Sequence, residues 1–552
     1  MKSRIEEVLE RSLAAAERAG ALSSSAVARG TLEVPKERSH GDLASNVALT
    51  MAKAERRAPR AIAETVLEHL EDPEGWIETA EIAGPGFLNF RLSPGFWQRE
   101  LSDLSARKDL GVVDEGQGKK VQVEFVSANP TGPLTVGHGR NAVLGDTVAN
   151  LLERTGHVVE REYYFNNAGR QMKVLGDSVR ARYEEEIGKP FEFPEDGYQG
   201  DYVREIALAL VKSDGDGLAG DEGTVFRDAA VEAIFEEIRA TQARLGIVFD
   251  NYFNEDSLYS SGAIEAVLGA LEEKGLVAKR DGAVWLIGEP VGLDKDRVLV
   301  KSSGEPAYRL PDIAYHINKL GRGFDRVVDI LGADHIAENR EVTATLAALG
   351  YEAERVQLVI YQFVTLTRDG EQVKMSTRRA EYVTLDDLLD EVGVDAVRFF
   401  FLSRKSDSHL EFDLELARKR STDNPVYYVQ YAHARIANLF QEAIRQGVEL
   451  PDGEFGPEDV AALTDPDDFG LIGQIGSYGE LVGLAARELE PHRVVFYLQD
   501  LAAHLHRYYN RNRILGDEAP DRVYARLALL SVVKRVLASG LDLLGVNAPE
   551  RM

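Results

Sequence analysis

Residues 124–146 read EFVSANPTGPLTVGHGRNAVLGD. Leading into them, Val121, Val123 and Phe125 alternate with Gln122 and Glu124, the period-two pattern of a β-strand. Asn129-Pro130-Thr131-Gly132-Pro133 then makes a turn, and His138 opens a helix predicted over 138–155. Val148, Leu151 and Leu152 share one side of that helix, and Gly156 ends it. A second strand is predicted around 158–164. Strand, turn, helix and strand in this order fit a parallel sheet with right-handed crossovers. Gly137 and Gly139 would let the backbone approach a ligand closely, and a helix N-terminus favours an anion. His138 can donate a hydrogen bond to a phosphoryl oxygen as its charge develops. The stretch is a candidate phosphate-handling site. Its bland alternative is a Gly/Pro turn carrying a surface histidine.

Working outward, residues 165 to about 295 are long and mixed, and read as an insertion that splits the nucleotide-binding fold. Strand-like runs return at 327–331 and 356–366, and Asp369-Gly370 signals a short hairpin. Helices are predicted near Thr384 and Asp395. Beyond residue 420 the chain turns helical. Asn424-Pro425 starts a helix whose apolar side is Val426, Val429, Ile436, Leu439, Phe440 and Ile444. Pro520 and Gly545 bracket a final helix. At the other end, Ile5, Val8, Leu9 and Ala16 give residues 2–19 an amphipathic helical spacing, capped by Gly20.

The chain has 552 residues, enough for several domains, and no cysteine, which excludes disulfides and Cys-ligated metal centres. No apolar run reaches bilayer length, and the N-terminus lacks the apolar block of a signal peptide, so a cytoplasmic protein is expected. The net charge of −28 argues against a polyanion partner when taken alone. It is unevenly spread. Residues 1–60 hold 11 Lys/Arg against 8 Asp/Glu, and residues 504–552 hold 8 against 5, so both ends are mildly basic on an acidic body. That permits a polyanion to touch both ends, although solvated charged faces look the same.

Residues 128–138 resemble the first signature motif of class I aminoacyl-tRNA synthetases, in the wording of arginyl enzymes. Thr135 stands where that motif has its first histidine, so a histidine's role is not carried to it; Thr135 retains the capacity to hydrogen-bond phosphate. Lys374-Met375-Ser376-Thr377-Arg378 resembles the second motif, with Thr377 in place of its second lysine. The resemblance implies that Lys374 neutralises the β- and γ-phosphates of ATP, with Arg378 or Arg379 adding charge. It also implies ATP contacts by Gly137, His138, Gly139, Met375 and Ser376. A guanidinium substrate calls for carboxylates. Family positions that hold arginine match Tyr308 and Asp312 for the side chain, Glu124 at the end of the first strand, and Asn129 for the α-amino end. Asp334 and His335 stand where the returning strand ends, and His335 joins the expected arginine site. Without the resemblance, Tyr308 reads as a core aromatic and Asp312 as a helix cap.

Residues 41–53 and 84–90 resemble the N-terminal domain of arginyl enzymes that meets the tRNA elbow. Residues 427–440 and 540–552 resemble their anticodon-binding domain. Tyr508, Tyr509 and Met552 fall near positions that meet the anticodon; both tyrosines read equally well as core residues. The implied fold is α/β: a class I Rossmann-type catalytic domain with a parallel sheet and an insertion (111–420), preceded by an α/β tRNA-binding domain (1–110) and followed by an all-helical domain (421–552). The implied reaction joins L-arginine to tRNA(Arg) through arginyl-adenylate, with ATP and Mg2+ as the substrate complex, no tightly bound metal and a monomeric chain. A different adenylate-forming enzyme of the same fold, such as a synthetase for another amino acid or a small-molecule ligase, and a non-catalytic tRNA-binding paralogue remain as rivals.

Overall fold

A computed structural model describes residues 2–23, 30–35, 37–167, 169–221, 223–373, 383–516 and 518–552. Its centre is a five-stranded sheet whose strands, in chain order, are β1 (Lys120–Glu124), β2 (Val158–Phe165), β3 (Asn251–Asn254), β4 (Arg326–Gly332) and β5 (Val356–Tyr361). They lie side by side as β5-β4-β1-β2-β3, and every pair is parallel. This is the doubly wound order, in which the crevice between β1 and β4 is where ligands bind. The alternation read in β1 is real, but both its faces are buried: Gln122 is as inaccessible as Val121 and Val123. Parallel sheets carry helices on both sides, so polar residues facing away from the apolar core must find partners. Gln122 donates from Nε2 to Glu162 Oε1 at 2.6 Å, and Glu162 also accepts from the Tyr315 hydroxyl and the Arg322 guanidinium.

Helix α1 (Val136–Arg154) connects β1 to β2, and helix α2 (Arg309–Gly321) runs into β4. Helix α3 (Ile336–Leu349) connects β4 to β5. The stretch read as one insertion is two excursions, because β3 returns to the central sheet inside it. Three helices, Gly169–Glu186, Asp201–Asp214 and Val225–Arg244, precede β3. A small antiparallel sheet of Val277–Arg280, Ala283–Leu286 and Arg297–Val300 follows it. A four-residue strand with no alternation gives little sequence signal.

The run 356–366 also divides. Val356–Tyr361 pairs with β4, while Val364–Arg368 belongs to a separate three-stranded sheet. The Asp369-Gly370 hairpin forms between Val364–Arg368 and Glu371–Gln372. Its two central residues have φ of 53° and 78°, the left-handed pair of a tight hairpin turn. Helices start where predicted at Thr384, whose hydroxyl accepts from Asp387 N–H at 3.0 Å, and at Asn424, whose carbonyl accepts from Val426 N–H at 3.1 Å.

N-terminal residues form a four-stranded antiparallel sheet with helices Lys2–Arg18, Val47–Glu55 and Pro59–Glu68. Helix Pro94–Ala106 leaves that sheet and packs into the C-terminal helices. Trp97 stacks on Phe469 with centroids 6.1 Å apart, and Ser102 donates to the Phe455 carbonyl at 2.8 Å. Five C-terminal helices, Pro425–Arg445, Pro466–Gly476, Tyr478–Glu488, His492–Arg511 and Pro520–Leu543, complete the chain. They are tied to α1 of the central unit by buried Arg398, which donates to Asp146 Oδ2 at 2.5 Å, Leu245 O at 2.8 Å and Leu544 O at 2.7 Å. No helix among the described residues is long and apolar enough to cross a membrane.

Candidate functional site

At the C-terminal ends of β1 and β4 the chain opens into a cleft of about 660 Å³. Its first wall is the turn after β1. Val126 and Ser127 take φ of 66° and 43°, a left-handed region that side chains rarely adopt. The surroundings hold them there. Asn141, one turn into α1, accepts from Val126 N–H at 2.6 Å and donates to Ile330 O at 2.9 Å, so a single amide ties β1 to β4 at their divergence. Tyr163 in β2 donates to Ala128 O at 2.7 Å. The sharp bend carries residues 128–135 across the strand ends and brings the start of α1 to the cleft.

Thr135 is the N-cap of α1. Its backbone N–H donates to His138 Nδ1 at 3.2 Å. Nδ1 is therefore an acceptor, and the ring proton sits on Nε2. Burial pushes the His138 pKa down. A neutral imidazole with Nε2–H as its remaining donor lies on the cleft wall. Thr135 thus fixes the histidine's tautomer, in addition to lining the cleft itself. Gly137 also lines it. Gly139 does not: a Cβ there would lie 2.6 Å from Leu385 Cδ1 and 3.0 Å from the Phe401 ring. Its smallness serves the packing of helix Leu385–Val392 against α1.

The opposite wall is acidic. Asp312, in the first turn of α2, lines the cleft beside Glu124, Glu255 and Glu338. Burial, reinforced by those three carboxylates, pushes its pKa up to about 7. Its place is the cleft wall rather than a helix cap. Tyr308 is the N-cap residue of α2 but is 75% exposed, so it is no core aromatic; it stands at the cleft mouth. Glu124 Oε1 accepts from Ser127 at 2.8 Å, and Oε2 accepts from Lys319, a partner the sequence reading missed. A lysine seven residues after Asp312 on one helix face was the signal that could have found it. Asn129 lines the cleft and donates to Gln171 Oε1 at 3.1 Å. His335 stands at the N-cap of α3, and its pKa is raised by its contact with Glu338. Asp334 lies beside it, at 3.6 Å. Lys374, Met375, Ser376, Thr377, Arg378 and Arg379 lie outside the described residues. The hairpin before them and helix Leu385–Val392 after them are described, and Leu385 N–H donates to Leu134 O at 2.7 Å. The start of the helix that follows the second motif's segment is therefore held against the turn that carries His138.

Of the residues expected at a far-removed anticodon site, Tyr508 is buried, with its hydroxyl donating to Asp468 Oδ1 at 2.8 Å. It is a core residue, which corrects the stacking expectation: a tyrosine whose faces are packed and whose hydroxyl is committed has no face for a base. Tyr509 is half-buried under the Arg435 guanidinium, 3.8 Å from its centroid. Met552 is 47% exposed beside Arg418, Lys419 and Tyr427.

A cleft at the switch point of a doubly wound sheet, with a helix N-terminus and a neutral imidazole on one wall and a group of carboxylates on the other, among them Asp312 with its raised pKa, can hold a phosphate chain and a cation together. Family models match along the chain: "Arginyl tRNA synthetase N terminal domain" over residues 2–92, "tRNA synthetases class I (R), catalytic domain" over 100–409 and "DALR anticodon binding domain" over 429–552. A curated arginine–tRNA ligase of Desulfotalea psychrophila is 47% identical, with all of both chains covered. One of Salinibacter ruber is 48% identical over 94% of this chain and 95% of its own. The solved arginyl-tRNA synthetase of Thermus thermophilus is 25% identical with a TM-score of 0.74, covering 99% of this chain and all of that one.

Proposed function

The chain belongs to the arginyl-tRNA synthetase family and is an arginine–tRNA ligase of class I, and from that premise we propose how its cleft performs the reaction. ATP lies with its phosphates at the N-terminus of α1, where Gly137 leaves room and His138 Nε2–H meets the α-phosphoryl group. Arginine lies across from it. Asp312 and Glu124 receive the guanidinium, Tyr308 covers it from the cleft mouth, and Asn129 and His335 meet the α-amino and carboxylate end. The carboxylate oxygen of arginine attacks the α-phosphorus, the bond to the pyrophosphate oxygen breaks, and the adenylate forms. A ribose hydroxyl of the terminal tRNA adenosine then attacks the adenylate carbonyl, and AMP leaves. The enzyme's contribution is placement and charge stabilisation. Lys374 and its neighbours supply positive charge to the β- and γ-phosphates, with magnesium arriving on ATP as part of the substrate.

The observation that carries the arginine assignment is Asp312: a carboxyl group in the cleft whose pKa is raised by burial and by other carboxylates. A site built this way gains most from a cationic ligand. The N-terminal sheet domain (2–92) meets the tRNA body, the C-terminal helices read the anticodon with Met552 and Tyr509 at their surface, and the chain acts as a cytoplasmic monomer. Arginine-dependent ATP–pyrophosphate exchange, with and without tRNA, tests the reading. Exchange that requires arginine supports it, and exchange driven equally by another amino acid overturns it.

A further inference from the structure

Helix α2 presents Asp312, Tyr315, His316 and Lys319 at spacings of three, four and seven residues, one face directed at the C-terminal ends of β1 and β4. Lys319 is fully buried. Its ammonium donates to Glu124 Oε2 and, at 2.7 Å, to Asp329 Oδ1, and it lies 4.3 Å over the Tyr315 ring. Glu124 and Asp329 are register partners on adjacent strands. Two carboxylates so placed repel, and one of them would hold a proton unless a cation stood between them. The remaining oxygens are committed as well. Ser127 donates to Glu124 Oε1, His316 Nε2 lies 2.9 Å from Asp329 Oδ2, and His316 Nδ1 lies 2.7 Å from the backbone oxygen of Asp312. Burial alone would lower the Lys319 pKa and raise that of Asp329. Their mutual attraction, helped by Glu124 and His316, overrides it, so both stay charged.

The deepest pair of carboxylates in the cleft is thus already occupied by an ammonium that the chain itself supplies. An ammonium is a compact point charge best met by two carboxylates, whereas a guanidinium is a planar fork. We infer that Lys319 is a positioning and specificity residue for the substrate side chain: it fixes Glu124 beside Asp312 and fills the place where an alkylammonium substrate would be held, leaving the cleft to guanidinium. This rests on the reading that Asp312 and Glu124 receive arginine.

The test uses the full chain with tRNA in pyrophosphate exchange. Lys319→Met should raise KM for arginine about 10- to 100-fold through misplacement of Glu124, while KM for ATP stays within about twofold as a group outside the phosphate site should leave it. Arginine-over-lysine preference should narrow by about tenfold or more, a difference of one ammonium contact. The acid limb of the arginine KM profile should move to higher pH, because Glu124, Glu255 and Glu338 then face Asp312 without the lysine, opposed by His316 and His335. Lys319→Ala, prepared with n-propylammonium present, should lose arginine affinity when the amine is removed and regain it on return. This second variant decides the matter if the methionine variant does not fold. Unchanged arginine KM, preference and pH profile would overturn the inference, as would a joint rise of arginine and ATP KM with no rescue by the amine. Asp312→Ala serves as the control: if it leaves arginine KM unchanged, the arginine-site reading fails, and not the role of Lys319 alone.

Discussion

Replacing Asp312 by Asn should make the protein more stable and less active, with a pH dependence fixed by the cleft. Burial raises the Asp312 pKa from 3.8 to about 7. The folded state therefore binds this proton more tightly than the unfolded chain does. Any contribution of the native carboxyl is fully kept below pH 3.8, and stability is lost as pH rises through about 7. A difference of about three pH units corresponds to about 4 kcal/mol at pH 8, at about 1.4 kcal/mol per unit. Asn cannot ionise, so Asp312→Asn should recover that amount above pH 7 and almost none of it near pH 4. Hydrogen exchange of α2 peptides and chemical denaturation across this pH range measure the effect. Saturating arginine should stabilise the native chain at pH 8 and leave the variant unaffected. Arginine kcat/KM should fall by at least about 100-fold, since a buried guanidinium without its carboxylate loses about 3–5 kcal/mol. A variant that gains equally at pH 4 and pH 8, or gains nothing at pH 8, would refute the claim that Asp312 is an uncompensated carboxylate awaiting a cation.

Other perturbations separate the parts of the molecule. His138→Ala should slow pyrophosphate exchange by about 100- to 1,000-fold with tRNA affinity intact, the loss of one preorganised donor; filter binding and exchange rates check both halves. Because burial lowers the His138 pKa, the imidazole is already neutral at pH 7, and exchange in the native chain should show no gain assigned to this group between pH 7 and 8. Arg398→Met removes the closer of two cations from buried Asp146, leaving Arg161 at 3.5 Å, and with it the links to the Leu245 and Leu544 carbonyls; it should destabilise the chain by about 3 kcal/mol, read by denaturation. Deleting residues 1–92 should weaken tRNA binding and flatten its salt dependence, whereas deleting 1–110 also removes Trp97 and Ser102 from the C-terminal helices and should lower the melting temperature of what remains.

The sequence made the β1–α1–β2 unit readable because its signals are local: alternation, a Gly/Pro turn and a helix that ends in glycine. The Asp369-Gly370 hairpin and the caps at Thr384 and Asn424 were readable for the same reason. What escaped was set by distant contacts. Asn251–Asn254 is a strand only because β2 offers it an edge. The run 356–366 looks continuous, yet it breaks at Gln362, where the Arg140 guanidinium takes the carbonyl at 2.6 Å. At the site, His138, Glu124 and Asp312 were nameable from motif wording. That Thr135 fixes the imidazole tautomer, that Gly139 serves Leu385, and that Lys319 already holds Glu124 depend on side chains brought together from remote positions. Tyr508 was ambiguous because an aromatic residue at helical spacing suits a core and a stacking surface alike; Asp468, forty residues away, decides it.

The central claim is that the cleft selects arginine by charge as well as by shape. Citrulline keeps arginine's length and planar end and lacks only its positive charge. Charging of tRNA with arginine, citrulline and lysine, compared as kcat/KM on the full chain at pH 8, measures that claim directly. Arginine should exceed citrulline by at least about 1,000-fold, the cost of leaving Asp312 ionised, largely desolvated and unpaired in the cleft, and lysine should also be rejected. Citrulline charged within tenfold of arginine would contradict the account.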